Sequence, residues 1–231
     1  MKNIGILGGM APDSTVEYYR ILISLTKKRG WGKKYPEIII FSLNFKKFYE
    51  HLSARNNPKV ISILSKRIDA LERAGADFAL LASNTPHIFF DEIDKNSQIP
   101  LLSIASATAE EAKRRDYKKV GLIGTNYTMN GNFYEKEFEK KSISLKTPNE
   151  NEKKYVHNKI FKEIAEGKFI EETRKKLVQI VKRMKKKEEI DAVVLGCTEL
   201  PLFLKKENLN LPILNTTKIH ASAALNRATK T

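Results

Sequence analysis

The chain has 231 residues, 41% hydrophobic and 30% charged, which describes a globular protein with length enough to bury a core and excludes a disordered or fibrous one. No apolar run approaches the roughly 20 residues that span a bilayer, and the start MKNIGILGG lacks a signal peptide's apolar region and cleavage site, so the expected address is the cytoplasm, away from membranes. The net charge is +15, yet the basic residues are dispersed along amphipathic segments with one dense cluster, VKRMKKKEE, and no nucleic-acid-binding signature, so they read as a solvated surface and no nucleic-acid partner is expected.

From the N-terminus, a strand at 3–7 leads to a helix at 14–28, with Asp13 or Ser14 as the expected N-cap. A strand at 37–43 follows, then a helix at 60–74 closed by Gly75, and strands at 78–82 and 101–104. The second half repeats the alternation: a helix at 105–115, a strand at 119–123, helices at 129–141 and 170–187, and strands at 191–195 and 212–214. Short apolar runs alternating with helical spacing specify an α/β protein with parallel sheets.

The halves also resemble each other. KNIGILGGMAPDST is similar to KKVGLIGTNYTMNG, so that Gly5 answers Gly121, and GADFALLASNTPH is similar to EEIDAVVLGCTELP, so that Ser83 answers Cys197. Two strand-loop pairs in the same order at nearly the same separation predict two similar parallel-sheet α/β domains related by a pseudo-two-fold duplication. The expected boundaries are 1–104 and 105–214, with a C-terminal helix at 215–231 packing back on the first domain.

Ligands of parallel α/β sheets sit beyond the carboxyl ends of the strands, so the loops GGMAP, ASNTPH, GTNYT and GCTEL are expected to line an active site in the interdomain cleft. Their glycines, hydroxyls and amides supply short donors for a small anion, with no metal. A nucleotide cofactor is disfavoured because GILGGM does not fit G-x-G-x-x-G, no acidic residue follows the second strand, and the Lys-Ser/Thr of a P-loop is absent. The glycines also serve simply to make tight strand-to-helix turns. The single cysteine, Cys197, excludes an internal disulfide and a multi-cysteine metal site, leaving a buried hydrophobe or a working thiol.

Taken together, IGILGGMAPDSTVEYY, SNTPHIFFDEI, GLIGTNYTM and VVLGCTELP resemble the aspartate/glutamate (and hydantoin) racemase family, in its branch of aspartate and broad-specificity amino-acid racemases, and the similarity runs on to NTTKIHA. The resemblance implies a racemase that uses no cofactor and acts on aspartate, glutamate or a related small acid. It implies a homodimer as well. Such proteins usually place a cysteine on each side of the substrate's α-carbon, one removing the α-proton while the other delivers one. Carried over, Cys197 is the acid/base thiol, its pKa lowered by the site, and the carboxylate is held by Asn84, Thr85, Thr125 and Thr198 with backbone N–H groups near Met10. Glu199 either orients the substrate ammonium or raises the thiol pKa, and His87 and His220 are candidate proton relays or structural hydrogen-bonding groups.

Two positions depart from the family pattern. Ser83 stands where the second thiol is expected, and a serine hydroxyl cannot act as a resting base without a strong partner. A natural variant with Cys197 alone as base, an engineered replacement of a cysteine, and a homologue that binds amino acids without turnover all fit the residue. The alternative function is therefore a weak or inactive amino-acid or dicarboxylate-binding homologue, and a third option is another carbanion reaction on a small dicarboxylate. The places where aspartate racemases carry basic side chains for the distal carboxylate fall here near Phe48, Tyr49 and Ala165, with Lys46, Lys47 and Lys168 close enough in sequence to substitute.

Overall fold

The computed structural model describes residues 1–31 and 33–229, so the last two positions of the helix expected at 215–231 lie outside the described residues. The chain divides into two compact units, Met1–Ile104 with His220–Thr231, and Ala105–Ile219.

In the first unit the elements run β1 (Ile4–Gly8), α1 (Pro12–Lys28), β2 (Ile38–Ser42), α2 (Phe45–Ser53), α3 (Asn57–Arg73), β3 (Phe78–Leu81), a 3₁₀ turn (Thr85–Phe89), α4 (Phe90–Asn96) and β4 (Leu101–Leu102). All strands are parallel in the order β2-β1-β3-β4. Every residue of β1 and β3 is buried, because a parallel sheet is covered on both faces and its central strands need not alternate. One core joins Ile4, Ile6, Phe78 and Leu80 to Tyr18 and Leu22 of α1 and to Ala221, Ala224 and Leu225 near the C-terminus.

The second unit runs α5 (Ile104–Arg114), β5 (Lys119–Gly124), α6 (Asn126–Asn130), α7 (Phe133–Glu139), β6 (Ser144–Lys146), α8 (Glu150–Lys162), a 3₁₀ turn (Ile164–Glu166), α9 (Glu171–Glu188), β7 (Ala192–Gly196), α10 (Leu200–Phe203), α11 (Lys206–Leu209), β8 (Ile213–Asn215) and the start of α12 (Thr216–Thr229). Its sheet is parallel too, in the order β6-β5-β7-β8, the same order as the first. The repeat extends to single hydrogen bonds. The Asp77 carboxylate accepts the Asn3 N–H at 2.6 Å, and its counterpart Asp191 accepts the N–H groups of Lys118 and Lys119 at 2.7 and 2.8 Å. Each aspartate ties the start of one central strand to the start of the other.

Several expectations need correction. The first helix starts two residues earlier than expected: Ala11, not Asp13 or Ser14, occupies the cap with no side-chain hydrogen bond, and Pro12 takes the first turn, where its missing N–H costs nothing. The helix expected at 129–141 is two helices, α6 and α7, broken at Gly131, whose backbone is extended. The strand expected at 101–104 ends at Leu102, and Ile104 already opens α5. Unanticipated elements are α2, α4, α8, α10, α11 and β6. β6 is a three-residue edge strand beginning with an exposed serine, and α8 buries only Val156 and Ile160, so neither carries a strong apolar period. Gly75, with φ of 98°, follows α3 in the left-handed region that a helix stop favours. Among the described residues no helix is long and apolar enough to cross a membrane.

Candidate active site

Each unit presents two loops at the carboxyl ends of its central strands. After β1 the chain turns at Gly9, with φ of 83°, and its N–H donates to Thr15 Oγ1 at 2.9 Å. A side chain has no room there: a Cβ on Gly8 would lie 2.2 Å from Thr15 Oγ1, and one on Gly9 2.4 Å from the Leu43 nitrogen. Met10 follows, buried. After β3 come Ser83 and Asn84, both buried, and half-buried Thr85 opens the 3₁₀ turn with Pro86 in its first turn.

In the second unit Gly124 ends β5 against the Gly196 carbonyl, where a Cβ would come within 2.8 Å of the oxygen. Thr125 is the N-cap of α6: its Oγ1 accepts the Thr128 N–H at 3.3 Å and pairs with Thr128 Oγ1 at 3.1 Å. The Asn126 N–H donates to His157 Nδ1 at 3.2 Å, so a residue of α8 holds this loop from behind. Cys197 follows β7 directly and Ser83 follows β3 after Ala82, and the strand registers of Gly5 with Ala79 and of Gly121 with Val193 put the thiol and the hydroxyl at matching places in the two sheets.

The surroundings of Cys197 overturn one expectation. Its thiol donates to Glu199 Oε2 at 2.8 Å, and Thr198 Oγ1 donates to the same oxygen at 2.8 Å. Burial, then the charge of Glu199, then that hydrogen bond push the thiol pKa well above its ordinary range, whereas a lowered value is expected from the sequence. The backbone N–H groups of Glu199 and Leu200 act the other way and favour a thiolate. Cys197 in this state is a thiol, with its proton acceptor already in contact.

Below this loop, Thr216 Oγ1 donates to the Leu195 carbonyl at 3.0 Å, and the buried Tyr134 hydroxyl bonds the side chains of Thr108 and Thr216. Burial holds the Tyr134 pKa far above the usual phenol value. Thr15, His157, Tyr134 and Thr216 are supporting residues that the sequence reading does not single out. Two buried oxygens in the second unit, Asn126 Oδ1 and Thr217 Oγ1, have no hydrogen-bond partner among the described residues, and they follow β5 and β8 at the same end of the sheet as Cys197.

Of the two roles open to His87 and His220, proton relay or structural hydrogen-bonding group, the contacts fit the second. His87 Nδ1 bonds the Ser83 carbonyl at 2.9 Å and its Nε2 accepts the Ile104 N–H at 3.1 Å. His220 Nε2 bonds the Leu102 carbonyl at 2.9 Å and its Nδ1 lies 2.8 Å from the Tyr18 hydroxyl. Burial lowers both pKa values, to about 3 for His87 and about 4 for His220, so both rings are neutral structural groups. Lys46, Lys47 and Lys168 are exposed, and Lys46 lies 4.0 Å from Glu50 on its own helix. Among the described residues no group of three or more His, Cys, Asp or Glu is placed to hold a metal ion.

Two parallel sheets of the same strand order, with a thiol after the third strand of one and a hydroxyl at the same place after the third strand of the other, make this an α/β protein of two matched halves. The Asp/Glu/hydantoin racemase family matches residues 7–224, and the chain belongs to that family, whose Asp/Glu racemases are isomerases independent of pyridoxal phosphate. It is similar to the broad specificity amino-acid racemase RacX of Bacillus subtilis, with 24% identity over 225 residues covering 96% of each chain. Among solved structures it is similar to an aspartate racemase homologue from Pyrococcus horikoshii OT3, 36% identical with a TM-score of 0.85 over the whole of both chains. The aspartate racemase of Picrophilus torridus shares the fold at 24% identity, with a TM-score of 0.78 over 100% of this chain and 96% of that one.

Proposed function

We propose that the protein racemises aspartate, glutamate or a related small acid, with Cys197 handling the α-proton on one face of the substrate and Ser83 acting on the other. The observation that carries this reading is the contact between the Cys197 thiol and the Glu199 carboxylate. Passing the proton from Sγ to Glu199 leaves a thiolate facing the N–H groups of Glu199 and Leu200, and that thiolate takes the α-proton. Asn84, Thr85 and Thr125 donate to the α-carboxylate, where the carbanion's charge collects, with further donors near Met10, and Thr198 joins them once Glu199 has taken the thiol proton and released the Thr198 hydroxyl. The unpartnered oxygens of Asn126 and Thr217 are acceptors for the substrate ammonium, since a buried oxygen left without a donor costs about 1–3 kcal/mol.

Ser83 sets the two faces apart. A hydroxyl passes a proton to the carbanion or relays one from water, but it does not hold a negative charge at rest. The chemistry therefore starts more readily from the enantiomer whose α-hydrogen points at Cys197, without altering the equilibrium between enantiomers. Lys46, Lys47 and Lys168 are the basic side chains available to a distal carboxylate, and all three are exposed, so the broad class of small acids is the substrate reading.

The test is α-proton exchange in D₂O, followed by NMR for L- and D-aspartate and L- and D-glutamate separately. Exchange and inversion with the unmutated chain, both lost in Cys197→Ala, are expected. Binding by calorimetry with no exchange from any of the four would end the racemase reading for these substrates.

A further inference from the structure

His87 lies four residues after Ser83, and two of its bonds together demand one protonation state. The Ser83 carbonyl can only accept, so Nδ1 carries a proton, while the Ile104 N–H can only donate, so Nε2 carries a lone pair. A second proton would set two N–H groups against each other. The ring is fixed in plane as well, stacked on Phe90 with centroids 5.4 Å apart and planes within 3°. His220 packs edge-on against it, with centroids 6.0 Å apart, and has the opposite requirement: the Leu102 carbonyl makes Nε2 the donor, and the Tyr18 hydroxyl supplies Nδ1.

The partners are not scattered. Ile104 is the last residue of the first unit before the chain passes into the second, and His220 is the first residue after it returns. Leu102 is the last residue of β4. One imidazole thus ties the Ser83 loop to the outgoing strand connection, and the other ties the returning helix to that same connection and to α1.

We propose that His87, buttressed by His220, is a positioning residue that holds the Ser83 backbone, and with it the hydroxyl, in place for proton delivery on its face of the substrate. This rests on the reading of Ser83 given above. It replaces a relay with a clamp: the imidazoles move no proton and fix the group that does.

The clamp is dissected by His87→Asn, whose amide keeps a donor near the Nδ1 position for the Ser83 carbonyl, and His87→Gln, whose amide oxygen keeps an acceptor near Nε2 for the Ile104 N–H. The measurement in D₂O is the ratio of deuterium in inverted product to deuterium in recovered substrate, starting from the enantiomer that exchanges faster. A loss of folded protein leaves this ratio unchanged, whereas misplacement of Ser83 lowers it. In His87→Gln the ratio should fall by roughly tenfold or more, the cost of a group displaced on the order of 1 Å, and His87→Asn should restore most of it. Equal ratios in all three proteins would overturn the clamp while leaving the racemase reading intact. Absence of any exchange in the unmutated chain would instead defeat the racemase reading. The clamp is then judged, as it is if the variants fail to fold, by ¹⁵N-histidine NMR of the unmutated chain at pH 7: an Nδ1-protonated His87 and an Nε2-protonated His220 are expected, and the reverse tautomers or an imidazolium would overturn it.

Discussion

The Cys197 thiol and the Glu199 carboxylate share a hydrogen bond of 2.8 Å, and this pair governs how the candidate site answers pH. Glu199 both raises the thiol pKa and stands ready to take its proton. Because burial and Glu199 hold the thiol pKa well above its ordinary range, the thiolate fraction of the free protein rises with pH throughout the neutral and mildly alkaline range. Alkylation of Cys197 by iodoacetamide should therefore keep accelerating from pH 7 to 9 without a plateau. In Glu199→Gln the negative charge is gone, the thiol pKa falls, and the alkylation profile moves to lower pH. Turnover moves the opposite way, down by about 10²-fold or more, because the proton acceptor is lost. A faster alkylation with undiminished turnover would count against the role of Glu199.

Replacing Cys197 with alanine removes the acid/base group and should abolish inversion and exchange, a loss of at least 10²-fold measured by polarimetry and deuterium NMR. Ser83→Cys asks the complementary question. A thiol at that position supplies the missing second base, so exchange from the slower enantiomer should rise toward that of the faster one. If Ser83→Cys leaves the two enantiomers as unequal as before, Ser83 is not at the reacting face.

His87 and His220 should make the protein acid-labile. Their folded pKa values, about 3 and about 4, lie below the ordinary 6.5 of the unfolded chain, so each stabilises the folded state fully above pH 6.5. As the pH falls below 6.5 the unfolded chain takes up protons that the folded chain refuses. Each histidine then withdraws about 2 kcal/mol between pH 7 and pH 5. Denaturant melts across this interval should show a falling midpoint, and His220→Gln should flatten the slope.

The strand-to-helix turn after β1 tolerates no side chain. Gly9→Ala combines a φ of 83° with a Cβ 2.4 Å from backbone, and should cost about 2–4 kcal/mol in a thermal melt. Gly75→Ala is the control: its φ is 98° but nothing lies within 4 Å of the added atom, so strain acts without a clash and the cost should be about 1–2 kcal/mol.

Tyr134→Phe removes the hydroxyl that bonds Thr108 and Thr216 beneath the Cys197 strand. Two buried threonines lose a partner, which should lower stability by about 1–3 kcal/mol, read from the urea midpoint. Because Thr216 keeps its own bond to the Leu195 carbonyl, the alkylation rate of Cys197 should change little.

Much of the architecture was legible in the chain itself. The apolar runs of β1, β3, β5 and β7 are continuous because these strands are covered on both faces, and the likeness of GADFALLASNTPH to EEIDAVVLGCTELP located Ser83 and Cys197 as counterparts. Local composition also placed the loops that carry Asn84, Thr85, Thr125 and Thr198, since glycine and hydroxyl residues cluster where a parallel strand turns into a helix. β6 and α8 were not legible, because a three-residue edge strand and a helix with two buried residues carry too little periodicity to stand out. The tertiary structure alone decided the chemical state of the site. Whether a thiol is acidic depends on what surrounds it, and here burial and Glu199 made Cys197 a donor. Whether a histidine shuttles protons depends on what its ring nitrogens meet, and those of His87 meet Ser83 and Ile104, 17 residues beyond it. Residue type is local and can be read in order along the chain, whereas protonation depends on how deeply folding buries a group and on which neighbours, near or far in the chain, it turns toward that group.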